Sequence, residues 1–308
     1  LGGGSESRLS ASYLNSDLKL PGALTRAQYE ADPDQASAAA QGGDYQKNLD
    51  TWRLANKTHL ALDNASFLEF GVSWEEQSLY HPIVDKVLVD FDGPGPAPPR
   101  EVFSLLVDTD HRDFGAMTRY EVNLDQHNLL FGLNFGDGKV SGGNFRNDNG
   151  NKNGLTTAVD NTARNLEAFA MDRWTLAPRW TLVYGAQAVW AEREVENTEV
   201  ESGAQRNPGG DYDSINPRVG ALYDLSDGIT LFTNASRLFE PPTNFELEDD
   251  IRGGNDTLDP MYGYVIEVGG RGEHQVGAAS QWYWDAACYY SQVHDEILSV
   301  DDPLAPGT

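Results

Sequence analysis

The stretch Trp180-Thr181-Leu182-Val183-Tyr184-Gly185-Ala186-Gln187-Ala188-Val189-Trp190 decides the fold. In an extended chain, Trp180, Leu182, Tyr184, Ala186, Ala188 and Trp190 share one face, and Thr181, Gly185 and Gln187 lie on the other. Soluble strands average roughly five or six residues, and this alternation runs longer. A tilted strand that crosses a membrane needs about 9–11. The tryptophan at each end sits where aromatic girdles meet the membrane surface.

The same period recurs outward in both directions. Leu9, Ala11 and Tyr13 alternate with polar residues, as do Trp52, Leu54, Leu60 and Leu62. So do Leu68, Phe70, Val72 and Trp74, then Phe114, Ala116, Tyr120 and Val122. Leu129, Phe131, Leu133 and Phe135 follow, and later Trp282, Trp284, Ala286, Cys288 and Tyr290. Weaker candidates cover 163–176, 216–224, 229–239 and 262–271. In the first of these, Leu166 and Phe169 fall out of phase, which predicts a bulge. Long connections at 17–49, 76–111, 137–161, 194–214 and 241–261 alternate with short ones at 63–65, 123–126, 177–179, 224–228 and 272–276. The pattern predicts an all-β chain of about eleven strands, part of an antiparallel transmembrane β-barrel with long extracellular loops and short periplasmic turns.

Composition narrows the function. The 308 residues carry a net charge of −26, which repels phosphate backbones and excludes nucleic acid as a partner. Mean hydropathy is −0.51, and no run approaches the roughly 18 uncharged apolar residues of a membrane helix. Cys288 is the single cysteine, so neither an intrachain disulfide nor a cysteine zinc site is predicted. The six histidines lack metal-ligand spacing, and neither a GxSxG nor a phosphate-binding loop is present. The chain is therefore read as a non-enzyme without cofactor or resident metal. Asn149-Gly150-Asn151-Lys152-Asn153-Gly154, with Asp160 beyond, has oxygen donors at calcium-loop offsets but reads better as a mobile loop tip. Gly253-Gly254-Asn255-Asp256-Thr257-Leu258 resembles one calcium-binding repeat without tandem copies. Glu246, Glu248, Asp249 and Asp250 read as a solvated acidic surface. The opening Leu1-Gly2-Gly3-Gly4-Ser5 and the closing Pro303-Leu304-Ala305-Pro306-Gly307-Thr308 read as a piece of a longer polypeptide.

Residues 217–297 hold the sharpest motifs. They are Pro217-Arg218-Val219-Gly220-Ala221-Leu222-Tyr223, the run from Leu231 through Ser236-Arg237-Leu238-Phe239-Glu240-Pro241-Pro242-Thr243, and then Phe245-Glu246-Leu247. Leu258-Asp259-Pro260, Glu267-Val268-Gly269 and Tyr289-Tyr290 with Val293-His294-Asp295-Glu296-Ile297 follow; Met261 stands where glutamate is the usual residue. Together they resemble the TonB-dependent outer-membrane receptors, siderophore-receptor-like members in particular. The resemblance implies a bacterial outer-membrane barrel of about 22 strands filled by a plug domain. The plug and the C-terminal strands are expected to lie outside this chain. It also implies import of a ferric siderophore or another metal chelate, and a TonB-type energy-transducing protein acting through the plug. Outer-membrane lipid and lipopolysaccharide would surround the barrel. Iron citrate, hydroxamate, catecholate, haem, copper and cobalamin remain open as cargo. Loop arginines Arg100, Arg146, Arg206 and Arg252 would pair with an anionic chelate, and Tyr80 and Phe145 would stack on an aromatic one. A passive porin or structural barrel is the alternative, and a soluble β sandwich a third.

Overall fold

Consecutive strands pair antiparallel in one sheet of the computed structural model, which describes residues 4–91, 93, 98–250, 257–275 and 280–298. They are β1 (Glu6–Lys19), β2 (Gln46–Ala61), β3 (Ser66–Val89), β4 (Arg100–Leu124), β5 (His127–Asp148), β6 (Asn151–Ala177), β7 (Trp180–Glu199), β8 (Gln205–Arg206), β9 (Gly209–Ser226), β10 (Ile229–Glu240), β11 (Met261–Gln275) and β12 (Gln281–His294). The two-residue β8 pairs only with the end of β7, which leaves the predicted eleven on the main path. Short helices α1 (Arg26–Ala31) and α2 (Ala38–Gly42) fill the first connection, and α3 (Asn244–Asp249) lies between β10 and β11.

Register carries two distinct faces across the sheet. Leu182 opposes Trp174 and Ala221, and Ala186 opposes Ala170 and Pro217. The same register runs through Tyr223, Leu231 and Gly270 to Ala286, so the apolar sets of β7 and β12 share one face. Two aromatic belts cross it. Near the short turns, His127 stacks on Trp174 with centroids 5.4 Å apart, and Trp180 meets Tyr223 at 4.6 Å. Toward the other end lie Tyr13–Trp52 at 4.5 Å, Trp74–Phe114 at 6.5 Å and Phe114–Phe135 at 6.2 Å. The strand from Trp180 to Trp190, at roughly 3.3 Å per residue and about 40° tilt, rises about 25 Å, the height of a lipid-facing band. Some polar groups on this face are paired with one another. Ser7 bonds Thr58 at 2.8 Å, and Asp172 accepts from Tyr184 Oη and His127 Nδ1, both at 2.7 Å.

The opposite face is polar. Gln187, Gln281 and Asp285 belong to it by register, as the alternation predicts. Glu69 sits 3.0 Å from Lys57 and 3.9 Å from Arg119 across two strand pairs. Phe169 points here too. The predicted bulge near it is absent, because the β5–β6 and β6–β7 ladders run unbroken past Leu166 and Phe169. Phe169 breaks the apolar phase because it fills the space over Gly132, where an added Cβ would lie 2.2 Å from its ring.

Three of the five expected long loops are largely strand. β3 continues to Val89 and β4 starts at Arg100, so most of 76–111 is ladder. Nearly all of 137–161 is the β5–β6 hairpin, and 194–214 is reduced to the β7–β9 connection at 200–208. Beyond the membrane both faces of a strand are wet, so the ladder persists without any apolar period to betray it. The Asn149–Gly154 string is therefore a paired hairpin rather than an open loop. Asn149 and Gly150 have φ of 51° and 81° and form a two-residue hairpin turn, followed by β6. Gly253–Leu258 falls mainly outside the described residues.

One asparagine ties three of these projections together. Asn147 is fully buried, and its Nδ2 donates to Gly43 O at 2.8 Å and Val84 O at 3.1 Å. Its Oδ1 accepts from Gly150 N at 2.9 Å, and its own N donates to Ser104 Oγ at 3.0 Å. Register shifts at Pro82–Val84 and Asn144–Asn147 bend the hairpins toward that contact. Asn147→Ala should loosen the rim by roughly 2–4 kcal/mol, since it strands buried partners. Hydrogen exchange at 145–152 should rise while exchange in β7 stays unchanged. The faces themselves make a second prediction. Ala186→Arg or Ala188→Arg should cost roughly 2–4 kcal/mol of barrel stability in lipid. Asn134→Arg, on the polar face beside Glu167, should stay within about 1 kcal/mol. Urea unfolding in vesicles measures both.

Candidate functional site

Past the belt, the segment from Pro241 to Glu248 folds down onto the polar face of β6 and β7. Pro241-Pro242 ends the β10–β11 ladder because neither residue has an N–H to give. Thr243 then caps α3: its Oγ1 accepts from Glu246 N at 3.2 Å, and Glu246 Oε2 accepts from Thr243 N at 2.7 Å. Pro242 and Leu247 are buried, and Asn244 Nδ2 donates to Thr162 O at 3.1 Å. Glu248 accepts from Asn161 Nδ2 at 2.9 Å and also from Asn197 Nδ2. Glu246 and Glu248 thus cap and dock the segment, where the sequence suggests only a solvated acidic cluster.

Beneath the segment lies Arg193, only 8% exposed. Its Nε donates to Pro242 O at 2.9 Å, its Nη1 to Arg164 O at 3.1 Å and Glu192 O at 2.9 Å, and its Nη2 to Asn165 Oδ1 at 3.0 Å. All four acceptors are neutral. Tyr212 lies beside it, equally buried, and its hydroxyl has no hydrogen-bond partner. Burial lowers the guanidinium's hold on its proton and pushes the Tyr212 phenol up. Lower on the polar face, Arg119, Phe169, Gln187, Asn216, Arg218 and Leu238 line an open hollow of about 570 Å³. Arg237 reaches its edge, held by Ser214, by Ile215 O and Asn216 Oδ1 at 3.0 Å each, and by the Tyr262 ring at 5.4 Å.

The residues proposed from sequence do not converge on one point. Tyr80 donates to Gly150 O at 2.7 Å, and burial pushes its phenol up. Phe145 lies under Lys152 Nζ at 4.8 Å, and Lys152 in turn pairs with Asp108, the ladder partner of Tyr80. These two therefore gather at the Asn147 junction, in the register of the apolar face above its belt. Arg146 pairs with Glu201 at 3.6 Å, both exposed. Arg100 opens β4 opposite Val89, and Arg206 lies in β8 opposite Asn197. Arg252 falls outside the described residues. Arg193 was not among the candidates because the sequence shows no loop there, only the continuation of an alternating strand. Its one sequence signal is a basic residue in the inward register of β7. Among the described residues no cluster of three or more His, Cys, Asp or Glu is placed to hold a metal.

The arrangement offers guanidinium groups, amides and aromatic rings on a polar surface, which suits binding of anions and chelates. Comparison with known proteins agrees with the fold. Residues 3–308 match the family described as TonB dependent receptor-like, beta-barrel. The ferric-pyoverdine receptor PbuA of a Pseudomonas species is 25% identical over 118 residues, 37% of this chain and 14% of that protein. The unliganded ferric citrate transporter FecA superposes with a TM-score of 0.69 at 13% identity, over 94% of this chain and 45% of its own. FpvA of P. aeruginosa, bound to a heterologous ferric pyoverdine, gives 0.64 at 16% identity, over 94% and 39%. The chain thus spans less than half the length of each of these proteins. By the family match across 3–308, it belongs to the TonB dependent receptor-like β-barrel family, transport receptors of the bacterial outer membrane rather than enzymes.

Proposed function

We propose that the receptor carrying this barrel section imports a ferric siderophore or a related iron chelate. The observation that carries this reading is the family match over 3–308, joined to relatives named for ferric pyoverdine and ferric citrate. A TonB-type protein supplies the energy through a plug domain that rests against the polar face. Among the described residues β1 and β12 are each paired on one side only. Hydrocarbon cannot satisfy a free edge, so further strands of the same receptor close the barrel. Lipid meets the apolar face, and lipopolysaccharide the strand surface above Trp190. Arg100, Arg146, Arg206 and Arg252 remain proposed contacts for an anionic chelate at the rim, with Tyr80 and Phe145 set among the hairpins that shape it.

The test is uptake of radiolabelled ferric siderophore by iron-starved cells that express the full receptor, with and without a working TonB system. Saturable uptake that disappears without TonB is the outcome this reading predicts. Unsaturable entry of small solutes, indifferent to TonB, would identify a passive porin and overturn it.

A further inference from the structure

Among the described residues, Arg193 is a buried cation with no carboxylate bonded to it. The chain has 48 acidic residues against 22 basic ones, and several other strand cations pair with carboxylates. Arg53 pairs with Glu75, Lys57 with Glu69, Lys139 with Asp160, and Arg164 with both Asp137 and Glu192. Arg193 has four neutral acceptors only. A guanidinium has five N–H donors, so one on Nη2 is unused. The Tyr212 hydroxyl, also more than nine-tenths buried, has no partner. An isolated buried charge is costly unless something compensates it. Here two donors stand together with no carboxylate bonded to either, although Asp211 and Asp259 lie near enough to act on Tyr212.

We propose that Arg193 and Tyr212 form a carboxylate-binding site that the segment 241–248 covers in this structure, with the Pro242 carbonyl standing in for one oxygen of the ligand. The inference rests on the import reading and names its substrate class, an iron chelate with a free carboxylate. Three of the four acceptors, Arg164 O, Glu192 O and Asn165 Oδ1, belong to β6 and β7 and stay in place when the segment lifts. Only Pro242 O leaves. That frees Nε on the same edge as the underused Nη2, the edge that grips a carboxylate with two parallel hydrogen bonds. The segment is held through Pro242 O, Asn244 and Glu248, yet its docking leaves polar atoms unmatched. Asn161, Asn197 and Asn244 each keep a buried side-chain oxygen without a donor while it is docked. An anion outcompetes a neutral carbonyl for a guanidinium because charge-assisted bonds are about twice as strong.

The experiment uses the full-length receptor in detergent micelles, with iron-free citrate, ferric citrate and an uncharged ferric trihydroxamate as probes. Binding is followed by calorimetry, and the position of the segment by hydrogen exchange at 241–248. Citrate, with or without iron, should raise exchange in the segment, and the trihydroxamate should not. Arg193→Gln should weaken citrate binding at least tenfold and leave the trihydroxamate unchanged. Tyr212→Phe, the milder variant, should weaken citrate severalfold if Arg193→Gln fails to fold. Unchanged exchange with citrate would overturn the proposal, as would equal losses for charged and uncharged probes. If the trihydroxamate binds and neither form of citrate does, the import reading survives and this site does not. If iron-free citrate alone binds and lifts the segment, the site survives and the import reading falls.

Discussion

The structure depends on one constraint: in hydrocarbon a backbone N–H or C=O can bond only to another strand. An unbroken antiparallel ladder from β1 to β12 meets that need for every interior strand. Once the ladder fixes register, it fixes which residues meet lipid. A slip by one residue would exchange the faces, sending Trp180, Leu182 and Ala186 inward and Gln187 outward. Little else is needed to hold the membrane portion, and no helix of the described residues is long and apolar enough to cross a membrane. The buried apolar residues, such as Leu106, Val195 and Leu247, lie instead toward the rim.

Above the belts a different physics takes over. The hairpins have no lipid to press on, so they are organised by buried polar contacts. Asn147 joins the β1–β2 connection, the β3–β4 hairpin and the β5–β6 tip with side-chain bonds to backbone groups. The Pro241–Glu248 segment docks in a similar way, through Glu248, Asn161, Asn197 and Asn244, and covers Arg193. Paired strands below and polar junctions above set the positions of the rim residues.

The membrane portion was legible in the sequence because lipid enforces the period of two. Trp180–Trp190 and Trp282–Tyr290 show it plainly, and four of the five short turns lie within a few residues of their predicted places, the β11–β12 turn falling mainly outside the described residues. The upper strands were hidden for the converse reason. Gly138, Lys139, Asn144 and Asn151 are paired in a ladder, yet water on both sides removes any need for alternation. Phe169 misled because a large ring on the polar face, fitted over Gly132, looks like a phase error. Arg193 is not picked out because the proline segment that buries it is distant in sequence, leaving only a basic residue in the inward register of a strand. The motif Pro241-Pro242-Thr243 with Glu246-Leu247 was visible, but what it covers was not.

The most direct test of the account is the environment of each residue along β7. Nitroxide labels placed singly from 181 to 190, in a Cys288→Ser background of the full receptor in bilayers, report access to oxygen from lipid and to a water-soluble nickel complex. A period of two is expected, with 182, 184, 186 and 188 favouring oxygen, and 183, 185, 187 and 189 shielded from lipid. Labels that show the opposite phase, or equal access at neighbouring positions, would contradict the assignment of faces and the barrel built on it.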